Sequence, residues 1–112
     1  MNANEYQTLA LRTINPSLPQ LEQLTNGVMG LCGEAGECID LVKKYRYQGH
    51  VDLDVTHLAK ELGDVAWYLA VSAAAIGYSL DEVLEMNIEK RKKRYPNGFD
   101  PERSANRAEG DI

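Results

Sequence analysis

The chain has 112 residues, 44% of them hydrophobic and 26% charged, with a formal net charge of −5. That is the length of one small domain and the composition of a globular chain, which excludes intrinsic disorder and a pair of full domains. The negative balance argues against a broad nucleic-acid surface, while a nucleotide held through a metal and a local basic patch stays compatible with it.

Four helices are expected. The first is short, about Asn4 to Thr13, and Asn15-Pro16-Ser17-Leu18-Pro19 breaks the chain after it. Met1 to Arg12 carries polar residues throughout and does not read as a secretory segment, so a cytoplasmic location with reduced thiols is expected. The second helix runs from about Gln20 to Tyr47. Its apolar or small residues, Leu21, Leu24, Val28, Leu31, Ala35, Cys38, Val42 and Tyr45, alternate steps of three and four and make one stripe. Glu34 lies beside that stripe, between Cys38 and Leu41, and Glu37 lies nearer its edge; Asp40, Lys43 and Lys44 occupy the rest of the surface. Cys32 and Cys38 share this helix at a spacing that does not let them bridge, and buried structural thiols are the default reading. Gly27, Gly30, Gly33 and Gly36 recur every third residue. Each weakens a helix by about 1 kcal/mol against alanine, so close approach of a backbone or ligand, or a local irregularity, is expected there.

After the loop Gln48 to Asp52, a third helix starts between Asp54 and His57 and ends near Gly77. From Val65 to Tyr78 it contains no charge, which makes it a buried helix, central to a bundle or an oligomer interface. The run is shorter than the roughly 18 residues a membrane span requires. Glu61 and Asp64 sit at its head, where the charge stops. Ser79-Leu80-Asp81-Glu82 fits a capping box and opens the fourth helix, which reaches about Tyr95 before Pro96-Asn97-Gly98 ends it. Residues 1–95 thus read as an all-α helical domain and 96–112 as an extended or flexible tail.

The chemistry lies in two acidic pairs, Glu34-Ala35-Gly36-Glu37 and Glu61-Leu62-Gly63-Asp64, each spaced i, i+3 and so presenting two carboxylates on one helix side. If the two helices pack, the four carboxylates repel one another until a hard cation joins them. Mg²⁺ prefers all-oxygen octahedral coordination and retains waters, so it can face both a phosphate and a nucleophile. Solvated acidic edges are the plainer reading of either pair alone. On the fourth helix Asn87, Lys90 and Arg94 share a face and suit phosphate oxygens, although most of the run Lys90 to Arg94 is solvated and sits well at a helix C-terminus. Trp67 and Tyr68 adjoin the second acidic pair and could stack on a base, with core packing the simpler role. His57 stands four residues before Glu61, within reach of a hydrogen bond. Asp54-x-x-His57 is half of a transition-metal motif, but no second half exists for a di-iron site, no zinc spacing is present, and there is no P-loop or nucleophilic triad.

Gly33-Glu34-Ala35-Gly36-Glu37, then Lys60-Glu61-Leu62-Gly63-Asp64-Val65, then Asn87-Ile88-Glu89-Lys90 with Arg94-Tyr95-Pro96, resembles the MazG-like branch of the all-α nucleoside triphosphate pyrophosphohydrolases, whose signature is E-x-x-E followed by E-x-x-D. The resemblance covers roughly Leu24 to Arg107. It implies a four-helix-bundle-type fold assembled as a homodimer or a dimer of dimers, and Mg²⁺-dependent cleavage (Mn²⁺ as a substitute) of the α–β phosphate bond of a nucleoside triphosphate. Carried over by position, Glu34, Glu37, Glu61 and Asp64 would ligate the metal. One glutamate, Glu37 or Glu61, would orient or deprotonate the attacking water. Asn87, Lys90 and Arg94 would hold phosphates, with Tyr95 and Lys43 or Lys44 as further candidates. Only one copy of the motif set is present, and the acidic motif does not encode base or sugar. Phosphoribosyl-ATP pyrophosphohydrolases and dimeric dUTPases share the chemistry and remain neighbours. Outside enzymology, a helical oligomeric adaptor or a nucleotide sensor would use the same apolar and acidic surfaces.

Overall fold

The computed structural model describes all residues from Met1 to Ile112. It contains five helices and no strand: α1 (Ala3–Leu11), α2 (Gln20–Tyr47), α3 (Val55–Ala75), α4 (Leu80–Arg94) and α5 (Pro101–Ala105). Local chemistry sets the ends. The Asn2 side chain accepts from the Glu5 backbone N–H at 2.9 Å while Glu5 accepts from the Asn2 N–H at 3.0 Å, a reciprocal capping box that opens α1. Asp54 caps α3 by accepting from the His57 backbone N–H at 2.9 Å, which accounts for the Asp54-x-x-His57 spacing without any metal. At the other end of α3, Gly77 takes φ +85°. Its N–H donates to Ala74 O at 3.0 Å and that of Tyr78 to Ala73 O at 2.9 Å, so a Schellman turn directs the chain into α4.

Two compact units result, Met1–Leu80 and Asp81–Ile112. In the first, the main packing is α2 against α3, with α1 lying on α3. Gln20 Nε2 donates to Ala75 O at 2.7 Å, Gly27 faces Ser72, and Gly30 faces the Tyr68 ring, so the two long helices run antiparallel. The glycines explain the register. A Cβ at Gly27 would overlap Ser72 Oγ and one at Gly30 would overlap the Tyr68 ring, whereas Gly33 and Gly36 face open space. Close helix approach is therefore the reason for the first two glycines only. It also corrects the expected stripe. Gly27 is buried and Leu24, Leu31, Glu34, Cys38 and Val42 are half-buried along α2, while Leu21, Val28, Ala35 and Tyr45, expected on the same stripe, are exposed. Counting hydrophobic side chains finds Leu24 and Leu31 but misses Gly27 and Gly30 between them.

The core of this unit is small: Ala10, Ala70, Val71 and Leu80, with Tyr6, Leu11, Ile14, Trp67, Tyr68 and Leu69 packed around them. As expected, the charge-free part of α3 is the most buried stretch, supplying Ala70, Val71, Ser72 and Ala73, half of the buried residues. Ser72 is buried beside Gly27, and its hydroxyl has no hydrogen-bond partner. Removing an unpaired buried hydroxyl recovers its desolvation cost, so Ser72→Ala is expected to stabilise the protein by about 1 kcal/mol, read as a higher midpoint in thermal denaturation.

In the second unit, where an extended tail is expected, Pro101–Ala105 is helical. Asp100 caps it by accepting from the backbone N–H groups of Glu102 and Arg103, at 2.9 and 3.3 Å. Proline in the first turn after an aspartate cap is a helix-start signal, although five residues make only a short helix. Tyr95 and Phe99 pack ring to ring with centroids 5.5 Å apart. No helix in the chain is long and apolar enough to cross a membrane.

Candidate functional site

The α2–α3 register that sets Gly30 against Tyr68 carries Glu34, one turn further along α2, to the head of α3. There Glu34, Glu61 and Asp64 converge, with carboxylate oxygens all within 4.8 Å of one another. Glu34 and Glu61 are half-buried and Asp64 is exposed. The crowding shows in the protonation of Glu34. Burial first, then the charges of Asp64 and Glu61, a hydrogen bond with Glu61 and finally the charge of Glu37 hold its carboxyl above the ordinary value. No lysine or arginine forms an ion pair with any of the three.

Neighbours fix two of these groups. His57 Nε2 lies 2.8 Å from Glu61 Oε1, the hydrogen bond that the i, i+4 spacing allows. Tyr6, carried by α1 and packed against the core, has its phenol pKa raised by burial and by the charge of Asp64, so α1 lies within electrostatic reach of the cluster. The sequence carried no signal for Tyr6, because α1 lies far from the acidic motifs in the chain.

Glu37 is exposed and does not belong to the converging set; its charge nonetheless reaches Glu34. The donor set fits a hard divalent cation. On one octahedral Mg²⁺, oxygens lie about 3 Å apart when adjacent and about 4 Å apart when opposite, so small side-chain rotations would close the observed spread. Mutual repulsion among the three carboxylates is the cost that such an ion removes.

The other expected site residues have the following surroundings. Trp67 donates its indole N–H to Thr13 Oγ1 at 2.9 Å and to Ala10 O at 3.2 Å, and its ring meets Tyr68 edge-on at 4.9 Å, so both aromatics serve the core. Lys44 pairs with Asp40 at 2.7 Å, while Lys43 is exposed and 3.9 Å from the same carboxylate. In the second unit, Asn87 and Lys90 are exposed on α4. Arg94 is not free: its Nε and Nη2 donate to Asp111 Oδ2 and Oδ1, each at 2.7 Å. Cys32 and Cys38 are unbridged as expected, but Cys32 is exposed rather than buried and Cys38 is half-buried.

The family model of the MazG nucleotide pyrophosphohydrolase domain matches residues 23–99. The chain belongs to the MazG nucleotide pyrophosphohydrolase domain family. Within the match fall the three converging carboxylates, Glu37, and the α4 residues Asn87, Lys90 and Arg94; helices α1 and α5 of this MazG chain lie outside it. Among curated proteins it is similar to the Gene 37 protein of Mycobacterium phage L5, 38% identical over 81 residues that cover 70% of this chain and 71% of the phage protein. No solved structure matches it.

Proposed function

We propose that this MazG chain is a divalent-metal-dependent nucleoside triphosphate pyrophosphohydrolase that converts an NTP or dNTP and water to the monophosphate and pyrophosphate. The observation that carries the reading is the convergence of Glu34, Glu61 and Asp64 from two helices, inside the region that matches the family. Mg²⁺, with Mn²⁺ as a substitute, supplies charge neutralisation at the phosphate oxygens and makes a nearby water more acidic.

The chain's own residues do the rest. Glu34, Glu61 and Asp64 would hold the ion. The hydrogen bond from His57 fixes the orientation of Glu61, as partners of ligating carboxylates do. Glu37, exposed and outside the converging set, is the proposed group that orients the attacking water and takes its proton, with Glu61 as the other candidate for that role. The water oxygen bonds to the α-phosphorus while the bond to the bridging oxygen breaks, and that oxygen leaves with pyrophosphate. Asn87, Lys90, Arg94 and Lys43 are the proposed phosphate contacts, since phosphoryl chemistry depends chiefly on positioning and charge neutralisation. Trp67 and Tyr68, only half-buried where they pack on the core, are the base-contact candidates. Housecleaning of nucleotides in a reducing cytoplasm suits the free thiols.

A homodimer or a dimer of dimers, with a four-helix-bundle-type core, is the proposed assembly. Leu21, Val28, Cys32, Ala35 and Ile39, at steps of seven, four, three and four, form an exposed row along α2, and a second copy would cover it.

The test is pyrophosphate release from a panel of NTPs and dNTPs, with Mg²⁺ and after chelation. We expect equal amounts of monophosphate and pyrophosphate from at least one triphosphate, and none without metal. Failure to cleave any member of the panel with either Mg²⁺ or Mn²⁺ would sink the reading.

A further inference from the structure

Arg94 ends α4, and its guanidinium is already engaged. The Asp111 carboxylate meets it through two parallel hydrogen bonds of 2.7 Å, and the paired side chains are only 8% and 15% exposed. A guanidinium fork binds carboxylate and phosphate with the same two-pronged geometry. A tight turn aims the carboxylate. Gly110 takes φ +81°, and the Asp111 N–H donates to Ala108 O at 3.1 Å. The pair lines a cleft of about 920 Å³ together with Lys90, Lys93 and Arg103, within the roughly 300–1,000 Å³ range of small-molecule sites. Neither Lys90 nor Lys93 forms an ion pair. Glu89, Asp100, Glu102 and Glu109 also line the cleft, so with Asp111 in place its carboxylates outnumber its cations. With Ala108–Ile112 displaced, Lys90, Lys93, Arg94 and Arg103 face only Glu89, which pairs with Lys92, Asp100, which caps α5, and Glu102.

We propose that Asp111 is a built-in competitor for the phosphate seat at Arg94, so that a polyphosphate must displace the Ala108–Ile112 segment before Arg94 can bind it. This rests on the assignment of Arg94 to phosphate in the function proposed above. The exchange is favourable in one direction. Asp111 brings one negative charge, whereas a polyphosphate brings several, along with more acceptor oxygens for Lys90 and Lys93. The carboxyl of Asp111 is held below its ordinary range, first by the hydrogen bonds from Arg94 and also by the charges of Arg94, Arg107 and Lys90, so at neutral pH the competitor is fully ionised. Apparent affinity for the anion is then reduced by the fraction of molecules in which the seat is open.

The experiment uses the full chain, Asp111→Asn and Gly110→Ala, each in Mg²⁺ buffer. The first variant removes the competing charge, and the second strains the turn that presents it without touching the carboxylate. Inorganic tripolyphosphate binding is measured by calorimetry, and KM and kcat are measured on whichever nucleotide is cleaved. Expected for Asp111→Asn is tripolyphosphate affinity at least about fivefold tighter and KM lower by a similar factor, with kcat unchanged. Gly110→Ala should move both in the same direction by less. A structural tie would give lower thermal stability with no gain in affinity. Affinity unchanged, weaker or undetectable in all three proteins overturns the competitor, even where nucleotide turnover upholds the proposed activity. Tighter tripolyphosphate binding by the variants with no nucleotide cleaved by any protein would uphold the competitor and sink the activity.

Discussion

Replacing Glu61 with glutamine should lower pyrophosphate release by at least about a hundredfold while leaving the protein folded. Glutamine keeps the size of the side chain and an oxygen for His57, but removes the anion that a divalent cation requires. Glu61 is the most constrained of the three carboxylates, since it hydrogen-bonds His57 on its own helix and also meets Glu34 from α2. Its loss should therefore be felt in metal binding directly, as loss of Mn²⁺ affinity in calorimetry or in the Mn²⁺ resonance spectrum. Parent-level Mn²⁺ affinity in Glu61→Gln would show that the cluster is not the metal centre. Glu34→Gln supplies the electrostatic counterpart. The Glu34 carboxyl titrates above its ordinary value in the folded state, so the folded protein binds a proton more readily than the unfolded chain does. Stability from this group is full below the ordinary carboxylate pKa of 4.5 and is lost as pH rises through the elevated value. Metal-free protein should accordingly lose thermal stability from about pH 4.5 upward relative to Glu34→Gln, and Mg²⁺ should cancel that loss. A parent and variant that respond identically to pH would mean that the carboxylates do not repel one another in solution.

The limits of α2, α3 and α4 were legible because they are written in local chemistry. The proline at the head of α2, the aspartate that caps α3 and Gly77 act within a few residues of themselves. The acidic pairs were legible for the same reason, since i, i+3 spacing alone puts both members on one helix side. Which members meet was not. That depends on the rotation of α2 against α3, set by the contacts of Gly27 with Ser72 and of Gly30 with Tyr68. A glycine contributes nothing to a hydrophobic stripe, so the stripe included Leu24 and Leu31, missed Gly27 and Gly30 between them, and added the exposed Leu21 and Val28. That rotation brings Glu34 into the cluster and leaves Glu37 at its rim. Asp111 was illegible for a different reason: its partner Arg94 lies 17 residues away, and a turn at Gly110 has no helical period to betray it. Helix α5 did carry a local signal, Asp100 followed by Pro101, outweighed in a sequence reading by the polarity of the surrounding residues.

Gln7→Ala should be the most destabilising single change away from the acidic cluster, costing about 3 kcal/mol and lowering the thermal midpoint by about 12 °C. Gln7 is only 7% exposed, yet it uses both ends of its amide. Its Nε2 donates to Ala70 O at 3.0 Å and to Tyr78 O at 3.1 Å, and its Oε1 accepts from the Leu80 backbone N–H at 3.0 Å. One side chain on α1 thus satisfies backbone groups at the end of α3, in the following turn and at the start of α4. Alanine leaves the buried Leu80 N–H and the part-buried Tyr78 carbonyl without this partner, and it opens a void beside Ala70 and Leu80. Gln7→Glu separates the two contributions. A glutamate can still accept from Leu80, but when ionised it presents negative oxygens to two carbonyls. It should be at least as destabilising as alanine at neutral pH and should recover in part as the pH falls and the carboxyl regains a proton that it can donate. If both variants melt within about 1 °C of the parent, the amide is not what holds α1 in place. The consequence reaches the acidic cluster, because α1 lies outside the region that matches the MazG family model and yet carries Tyr6, whose phenol feels the charge of Asp64. Below its melting temperature Gln7→Ala should therefore keep Glu34, Glu61 and Asp64 together through α2 and α3, and loosen first the packing of α1 on α3.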